Sequence, residues 1–343
     1  MIKRLRLHVA TVIGFALLAS IATGEEFYKG KTVRLVVGFS AGGGFDIYAR
    51  AIARHIGKHI PGNPTIIVEN MTGAGSLIAA NYIYNKAKPD GLTIGNWVGT
   101  LVLQQVMGGQ KGIEFDARKF EWIGLPAGDS SLCALTKARG VTSIDTWLAA
   151  KEPVKIGGLA PGSVTSDIPR ILKAALNLPI QVVEGYKGTA EIRLAADSGE
   201  VDGGCWGWET IKGMWRKGIE SGDVKVVIQA LPKKHPELQD VPNAVDLAKS
   251  DEARQLIKAG ITDPATIVRS YSLPPGTPKE RVKILRDAFM ATMKDPEFLA
   301  ETKKSQLDLN PLSGSEVETI VQGFFKLQPS LVAKLKEITV PKK

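Results

Sequence analysis

Gly38-Phe39-Ser40-Ala41-Gly42 sets a serine between two glycines at the spacing of a hydrolase nucleophile elbow, and Gly43-Gly44 extends the run. Two chemistries are open to such a stretch. One is nucleophilic attack by Ser40, which needs a histidine base within reach. The other is anion binding, because a strand, a glycine turn and a helix opening at Asp46 leave backbone N–H groups in front of the helix dipole. The supply of histidines separates them. The chain has only His8, His55, His59 and His235. His8 lies in the N-terminal leader, His55 and His59 fall on the helix that the elbow itself would open, and His235 sits in a Lys-Lys-His-Pro loop. The elbow also ends the first strand, whereas a hydrolase elbow follows several strands. Anion binding is therefore the leading reading, and a secreted serine hydrolase using Ser40 is the alternative. A turn of purely structural purpose is the third. No Gly-Lys-Ser/Thr follows the glycines, which removes a phosphate P-loop. His55 and His59 stand four apart, but Ile56 replaces the glutamate of a zincin motif, so a surface face is expected rather than a metal site.

Positioning these residues takes an alternating series of elements. Val33–Val37 is a β-branched apolar run, and Ile47, Ala51, Ile52 and Ile56 then recur at helical spacing. The pattern repeats with a strand at Pro64–Val68, a second glycine turn over Thr72, Gly73, Ala74, Gly75 and Ser76, and a helix over Leu77–Ala87. A third strand, Leu92–Trp97, runs into Gly99-Thr100 and another helix. Strands alternating with helices at this interval form right-handed βαβ units on a parallel sheet, with ligands taken at strand C-terminal ends. Near Ile123–Gly128 the chain crosses over. A second series has strands at Leu132–Thr136, Val154–Gly158, Ile180–Val183, Val201–Cys205 and Val224–Ala230. Its turns carry Ser163, Thr165, Ser166 and Asp167, then Tyr186, Lys187, Gly188 and Thr189, then Trp206, Trp208 and Glu209. The rest reads as a helical stretch over 244–259, a strand at Thr266–Leu273, a helix near Glu280–Lys294 and one helix over Ser315–Ile338. The expected fold is α/β with two lobes, each a mainly parallel sheet flanked by helices. Residues 25–127 form the first part of one lobe, 128–230 the second lobe, and 231–343 a C-terminal part.

Composition agrees with a globular protein: 343 residues, 44% hydrophobic, with a formal charge of +9. Three of those charges, Lys3, Arg4 and Arg6, lie in residues 1–24. The remaining excess forms no basic tract, so no nucleic-acid partner is expected. Residues 1–24 have a basic start, an apolar stretch over Val9–Ile21 and small residues before Glu25, the pattern of a Sec-type signal peptide. Export of a soluble mature protein is the expectation. Cys133 and Cys205 are the only cysteines. A bridge and two buried free thiols both fit, and the unbridged form is the expectation.

The chain resembles the Bug-type periplasmic receptors of tripartite tricarboxylate transporters. The resemblance rests on Gly38–Asp46, Ala49-Arg50, Val68-Glu69-Asn70, Gly73-Ala74-Gly75, Pro89-Asp90-Gly91, Phe115-Asp116, Tyr186-Lys187-Gly188, Gly199–Asp202, Asp240-Val241-Pro242 and Pro275–Pro278. It implies a Venus-flytrap fold whose first lobe is completed by residues 231–343, acting as a monomer that hands a small carboxylate to a membrane permease. It implies neither catalysis nor cofactor nor metal. The ligand site carried over comprises Ser40, Ala41, Gly42, Gly43 and Asp46, the turn Thr72–Ser76, and Thr100. From the opposing lobe come Ser163, Thr165, Ser166 and Asp167, the turn Tyr186–Thr189, Trp206 and Glu209. The chain departs from the family pattern at Met71-Thr72, where Arg-Pro is usual, and at the Trp206–Glu209 strand end. There Trp206 or Trp208 is expected either to face the ligand or to pack against the following helix.

Overall fold

A computed structural model describes residues 27–108 and 111–340. The leader of residues 1–24 lies outside the described residues. Among those described, no helix is long and apolar enough to cross a membrane.

The first sheet begins with β1 (Thr32–Val37), where Val33, Leu35, Val36 and Val37 are all buried. Apolar side chains on both faces mark a strand covered on both sides. β1 pairs in parallel with β2 (Thr65–Asn70) and β3 (Thr93–Asn96). Next in the sheet is β10 (Tyr271–Leu273), antiparallel to both β3 and β4 (Glu121–Leu125), and β11 (Leu312–Ser313) closes the far edge. The order is β11-β4-β10-β3-β1-β2. The second sheet has the order β7-β6-β8-β5-β9, with β5 (Ser131–Thr136), β6 (Val154–Gly158), β7 (Ile180–Glu184), β8 (Gly203–Gly207) and β9 (Val224–Gln229). β6 runs parallel to β7 and β8, while β5 is antiparallel to β8 and β9. Both sheets are thus mixed rather than mainly parallel: β10 and β11 run against the other strands of the first sheet, and β5 against those of the second.

Numbering the helices of seven residues or more, α1 (Gly44–Ile56), α2 (Leu77–Asn85) and α3 (Thr100–Met107) follow the first three strands. α4 (Val164–Leu176), α5 (Thr189–Asp197) and α6 (Trp208–Met214) follow β6, β7 and β8. The C-terminal third supplies α7 (Asp251–Ile257), α8 (Lys279–Thr292), α9 (Pro296–Lys304), α10 (Gly314–Phe324) and α11 (Pro329–Thr339). α8 and α9 pack on α1, and α10 packs on β4. α7 and α11 pack on α4 beside the second sheet, and α11 also touches α3. Gly260 permits this approach, since a Cβ there would lie 2.6 Å from Ile171 Cδ1 and 2.8 Å from Leu335 Cδ2.

Two expectations change. The run Thr266–Leu273 is a strand only over Tyr271–Leu273, because Asp263–Thr266 is a helical turn at the crossing. The expected single helix over Ser315–Ile338 is two, and Pro329 starts the second, as a proline tolerated only in a first turn must.

Cys133 and Cys205 form a disulfide, against the unbridged expectation. β5 and β8 place them directly opposite one another, with Cα atoms 4.1 Å apart. That is the closer of the two spacings in an antiparallel pair. A separation of 72 residues in sequence carries no trace of this register.

Candidate functional site

The site is assembled from strand C-terminal ends. At the first, Gly38 lies so close to Ser76 that a Cβ would collide with the serine's own Cβ. This contact holds the turn Ser40–Gly44 beside the turn Thr72–Ser76. Gly42 has φ +80°, a conformation that glycine alone adopts without steric cost. Gly43 does not share it: this residue is the N-cap of α1, with φ −82°. Asp46 does not cap the helix in the ordinary way. Its carboxylate accepts hydrogen bonds from Gly42 N–H at 2.8 Å, Arg50 Nε at 2.8 Å and Asn70 Nδ2 at 2.9 Å. Burial pushes its pKa up, but those three bonds outweigh burial and hold it at about 2. Both oxygens of Asp46 are engaged in bracing the turn. Ser40, Ala41, Gly42 and Gly43 are exposed at the rim.

The second turn is the most strained backbone in the molecule's first lobe. Gly73, Ala74, Gly75 and Ser76 have successive φ values of +133°, +47°, +61° and +71°. Left-handed Ala74 and Ser76 cost of order 1–2 kcal/mol each, a strain that proteins hold at ligand sites. Ser76 is buried, and its Oγ accepts Val98 N–H at 2.9 Å. This bond ties the turn to the start of α3, where Thr100 stands.

The third turn, after β6, is built like the first. Gly162 has φ +86°, and its N–H donates to Asp167 Oδ1 at 3.0 Å. Ser163 N–H reaches Ala160 O at 3.1 Å, as Gly43 N–H reaches Ser40 O in the first turn. Thr165 Oγ1 accepts Leu159 N–H, and Ser166 is fully buried under Gly158. Both are buried and brace the turn from within. Burial pushes Asp167 up to about 7, against the pull of the Gly162 N–H and of Arg170.

The other sequence-derived residues separate. Gly185 N–H donates to Leu159 O, which sets the Tyr186–Thr189 turn beside the third turn. Tyr186 Oη is hydrogen-bonded to Glu200 at 2.6 Å, Lys187 is exposed, and Gly188 and Thr189 begin α5. Trp206 is 4% exposed and stacked on Trp215 at 5.5 Å. Trp208 is equally buried, and its Nε1 donates to Glu237. Glu209 lies in the first turn of α6, with Oε1 buried and 3.5 Å from Lys212 Nζ. Burial and then the neighbouring Asp308 carboxyl push it up to about 7.

Three functional candidates were not legible beforehand. Two crossing segments lie side by side, joined by Asp129 N–H to Ala265 O and by Arg269 Nη1 to Gly128 O at 2.9 Å. Arg269 lies 5.7 and 5.4 Å from the Phe45 and Tyr48 ring centroids, with its Nε buried and unpartnered. Its signal was a lone arginine in the apolar stretch Ile267–Tyr271. Asp129 and Gln104 join Thr100, Gly162 and Asp167 around a cavity of about 40 Å³ where α3 meets the third turn. The signal for Gln104 was its i, i+4 relation to Thr100 on one helix face.

None of the three described histidines hydrogen-bonds Ser40. His55 pairs with Glu301 and His59 with Asp295, while His235 Nδ1 accepts Glu237 N–H. The groups His55/Asp295/Glu297 and Glu209/His235/Asp308 each converge within 4.8 Å. Lys58 and Lys212 lie within ion-pair distance of their carboxylates.

A curated protein of Cupriavidus necator, described as a UPF0065 protein in the gbd 5' region, is 25% identical over 327 residues, covering 94% of this chain and 93% of that protein. A TctC solute-binding protein from Polaromonas superposes with a TM-score of 0.67 at 19% identity, over 90% of this chain and 99% of that one. MatC of Rhodopseudomonas palustris, solved with bound malate, gives 0.62 at 22% identity over 90% and 99%. The family model described as "Tripartite tricarboxylate transporter family receptor" matches residues 48–336, and the chain belongs to that family.

Proposed function

We propose that the protein is a periplasmic receptor that captures a small carboxylate between its lobes and delivers it to a tripartite transporter permease, without making or breaking a bond. Residues 25–127 with β10, β11 and α8–α10 act as one jaw, and residues 128–230 with α7 and α11 packed on α4 as the other. The observation that carries this reading is the set of strained, glycine-bearing turns at strand C-terminal ends, two of which open directly into helix N-termini. Such corners present N–H donors and a positive dipole end to an anion. The Arg269 guanidinium, with a free Nε, adds a fixed positive charge beside the first corner. MatC, of the same fold, was solved with malate, a small carboxylate. Lobe closure would exclude water and strengthen each charge-assisted bond. The basic and apolar leader supports export, and intact Met1 on cytoplasmic protein would argue against it.

A thermal-shift screen of the mature protein against small organic acids, followed by calorimetric titration, tests the receptor reading. A ligand bound only by the folded state raises apparent stability. Ser40→Ala should leave affinity within several-fold and abolish nothing. Ester turnover that disappears in Ser40→Ala would replace the receptor by a hydrolase.

A further inference from the structure

Two carboxyl groups from different lobes meet at Glu209 and Asp308. Glu209 lies on α6, whose Trp208 and Ile211 belong to the core of the second lobe. Asp308 lies between α9 and β11, flanked by Leu307 and Leu309, which pack against the core of the first lobe. Its carbonyl oxygen accepts the Tyr48 hydroxyl at 2.8 Å. His235 follows β9 and stands edge-on to the Trp208 ring. One oxygen or nitrogen from each of Glu209, His235 and Asp308 lies within 4.8 Å of the others.

The surrounding cations do not balance this pair. Lys212 Nζ donates to the Glu237 oxygens at 3.1 and 3.0 Å and stands 3.5 Å from Glu209 Oε1. Arg269, 5.4 Å from the Tyr48 ring centroid, has Asp129 Oδ1 3.7 Å from its Nη2. Four carboxyls thus face two cations. His235 Nδ1 accepts the Glu237 N–H, so Nε2 carries the ring proton, 3.9 Å from Asp308 Oδ2. In that tautomer the ring is a donor to Asp308 and not a metal ligand. Two carboxylates this close repel, and one proton held between them replaces the repulsion with a hydrogen bond. Burial and then the Asp308 carboxyl already push Glu209 up to about 7.

We infer that Glu209 and Asp308 form a proton-operated clasp between the lobes, so that closure on a ligand takes up a proton. The ligand half of this inference rests on the receptor reading, and the clasp itself does not. The sign follows from the pairing. In the open form each carboxyl stands alone and ionises in the ordinary range, while the apposed pair retains a proton near neutrality. Closure is therefore favoured as the pH falls through about 7, and the gain is complete near pH 4, where separated carboxyls are protonated too. More alkaline surroundings loosen the grip and release the ligand.

Small-angle X-ray scattering of the ligand-free mature protein at pH 6 and pH 8 tests the clasp. The radius of gyration should be larger at pH 8. Asp308→Asn and Glu209→Gln, whose amides donate with no proton to lose, should make it equal at both pH values. A wild-type radius that ignores pH overturns the clasp. Calorimetric titration with malate, succinate and glutarate tests the coupling. The tightest binder should gain about tenfold in affinity from pH 8 to pH 6, and Glu209→Gln should leave only the acid's own titration. An affinity in wild type that follows that background alone overturns the coupling. A gain lost in His235→Gln but kept in Glu209→Gln assigns the proton to the imidazole and overturns the carboxyl pair. If no acid binds, the receptor reading falls, while the scattering still decides the clasp.

Discussion

The corners after β1 and β6 share a plan and differ in the treatment of one carboxylate. Each has a left-handed glycine, Gly42 or Gly162, whose N–H is held by an aspartate a few residues on, Asp46 or Asp167. Asp46 is saturated by Arg50 and Asn70 as well, and is held at about 2. Asp167 has no such company and burial leaves it at about 7. One carboxylate is a brace and the other is a poised group. The difference teaches that the same backbone geometry can be stabilised outright or kept partly unsatisfied, and that the unsatisfied copy is where a ligand has something to gain.

The largest effect should come from breaking the braced corner. Asp46→Ala strands the Gly42 N–H, Asn70 and Arg50 together, and should destabilise by about 3 kcal/mol in urea unfolding at pH 7. Because the native pKa of Asp46 is depressed, its contribution is complete above pH 4 and is lost as pH falls toward 2. Wild type and variant should therefore converge in acid.

The poised corner should respond with opposite sign. Asp167 has a raised native pKa, so the unfolded chain releases its proton first and stability falls between pH 4 and 7. Asp167→Asn should raise the melting temperature at pH 7.5 by several degrees and leave it unchanged near pH 4. Equal effects at both pH values would mean that Arg170 and Glu184, which also face Asp167, set its charge.

Next come the glycines. Gly42→Val forces a branched side chain to φ +80° and should weaken carboxylate binding at least tenfold, about 1.4 kcal/mol. Gly43, at φ −82°, has only Ser40 O within 4 Å of a notional Cβ, at 3.5 Å, so Gly43→Ala should cost less. Calorimetry on both variants decides whether conformation or bulk matters. The smallest effect should be that of Lys187→Ala, within about twofold in affinity, as befits an exposed lysine whose own backbone N–H is tied to Glu191.

The strand–turn–helix corners were legible because glycine spacing and apolar periodicity are local signals. So was the placing of Thr100, at the end of a clear strand. What escaped the sequence is non-local. β10 is three residues long and takes its place from the partners on either side, β3 and β4, rather than from its own pattern. Ser166 and Trp206 are ambiguous in sequence, a serine and a tryptophan at a strand end, because their packing against Gly158 and Trp215 leaves no local signal. Gln104 and Asp129 lie far apart in fold order and meet only because the crossing segments bring α3 to the third turn.

The bond between Cys133 and Cys205 spans 72 residues and contains the whole third turn within its loop. Tethering a loop of that length removes unfolded-state entropy worth about 4 kcal/mol. A chain kept reduced forgoes it, and the half of the molecule that holds Asp167 becomes the softer half, the first to open to a protease. Maturation in an oxidising compartment would thus stiffen one jaw after synthesis while leaving the other, which has no cysteine, as it was made.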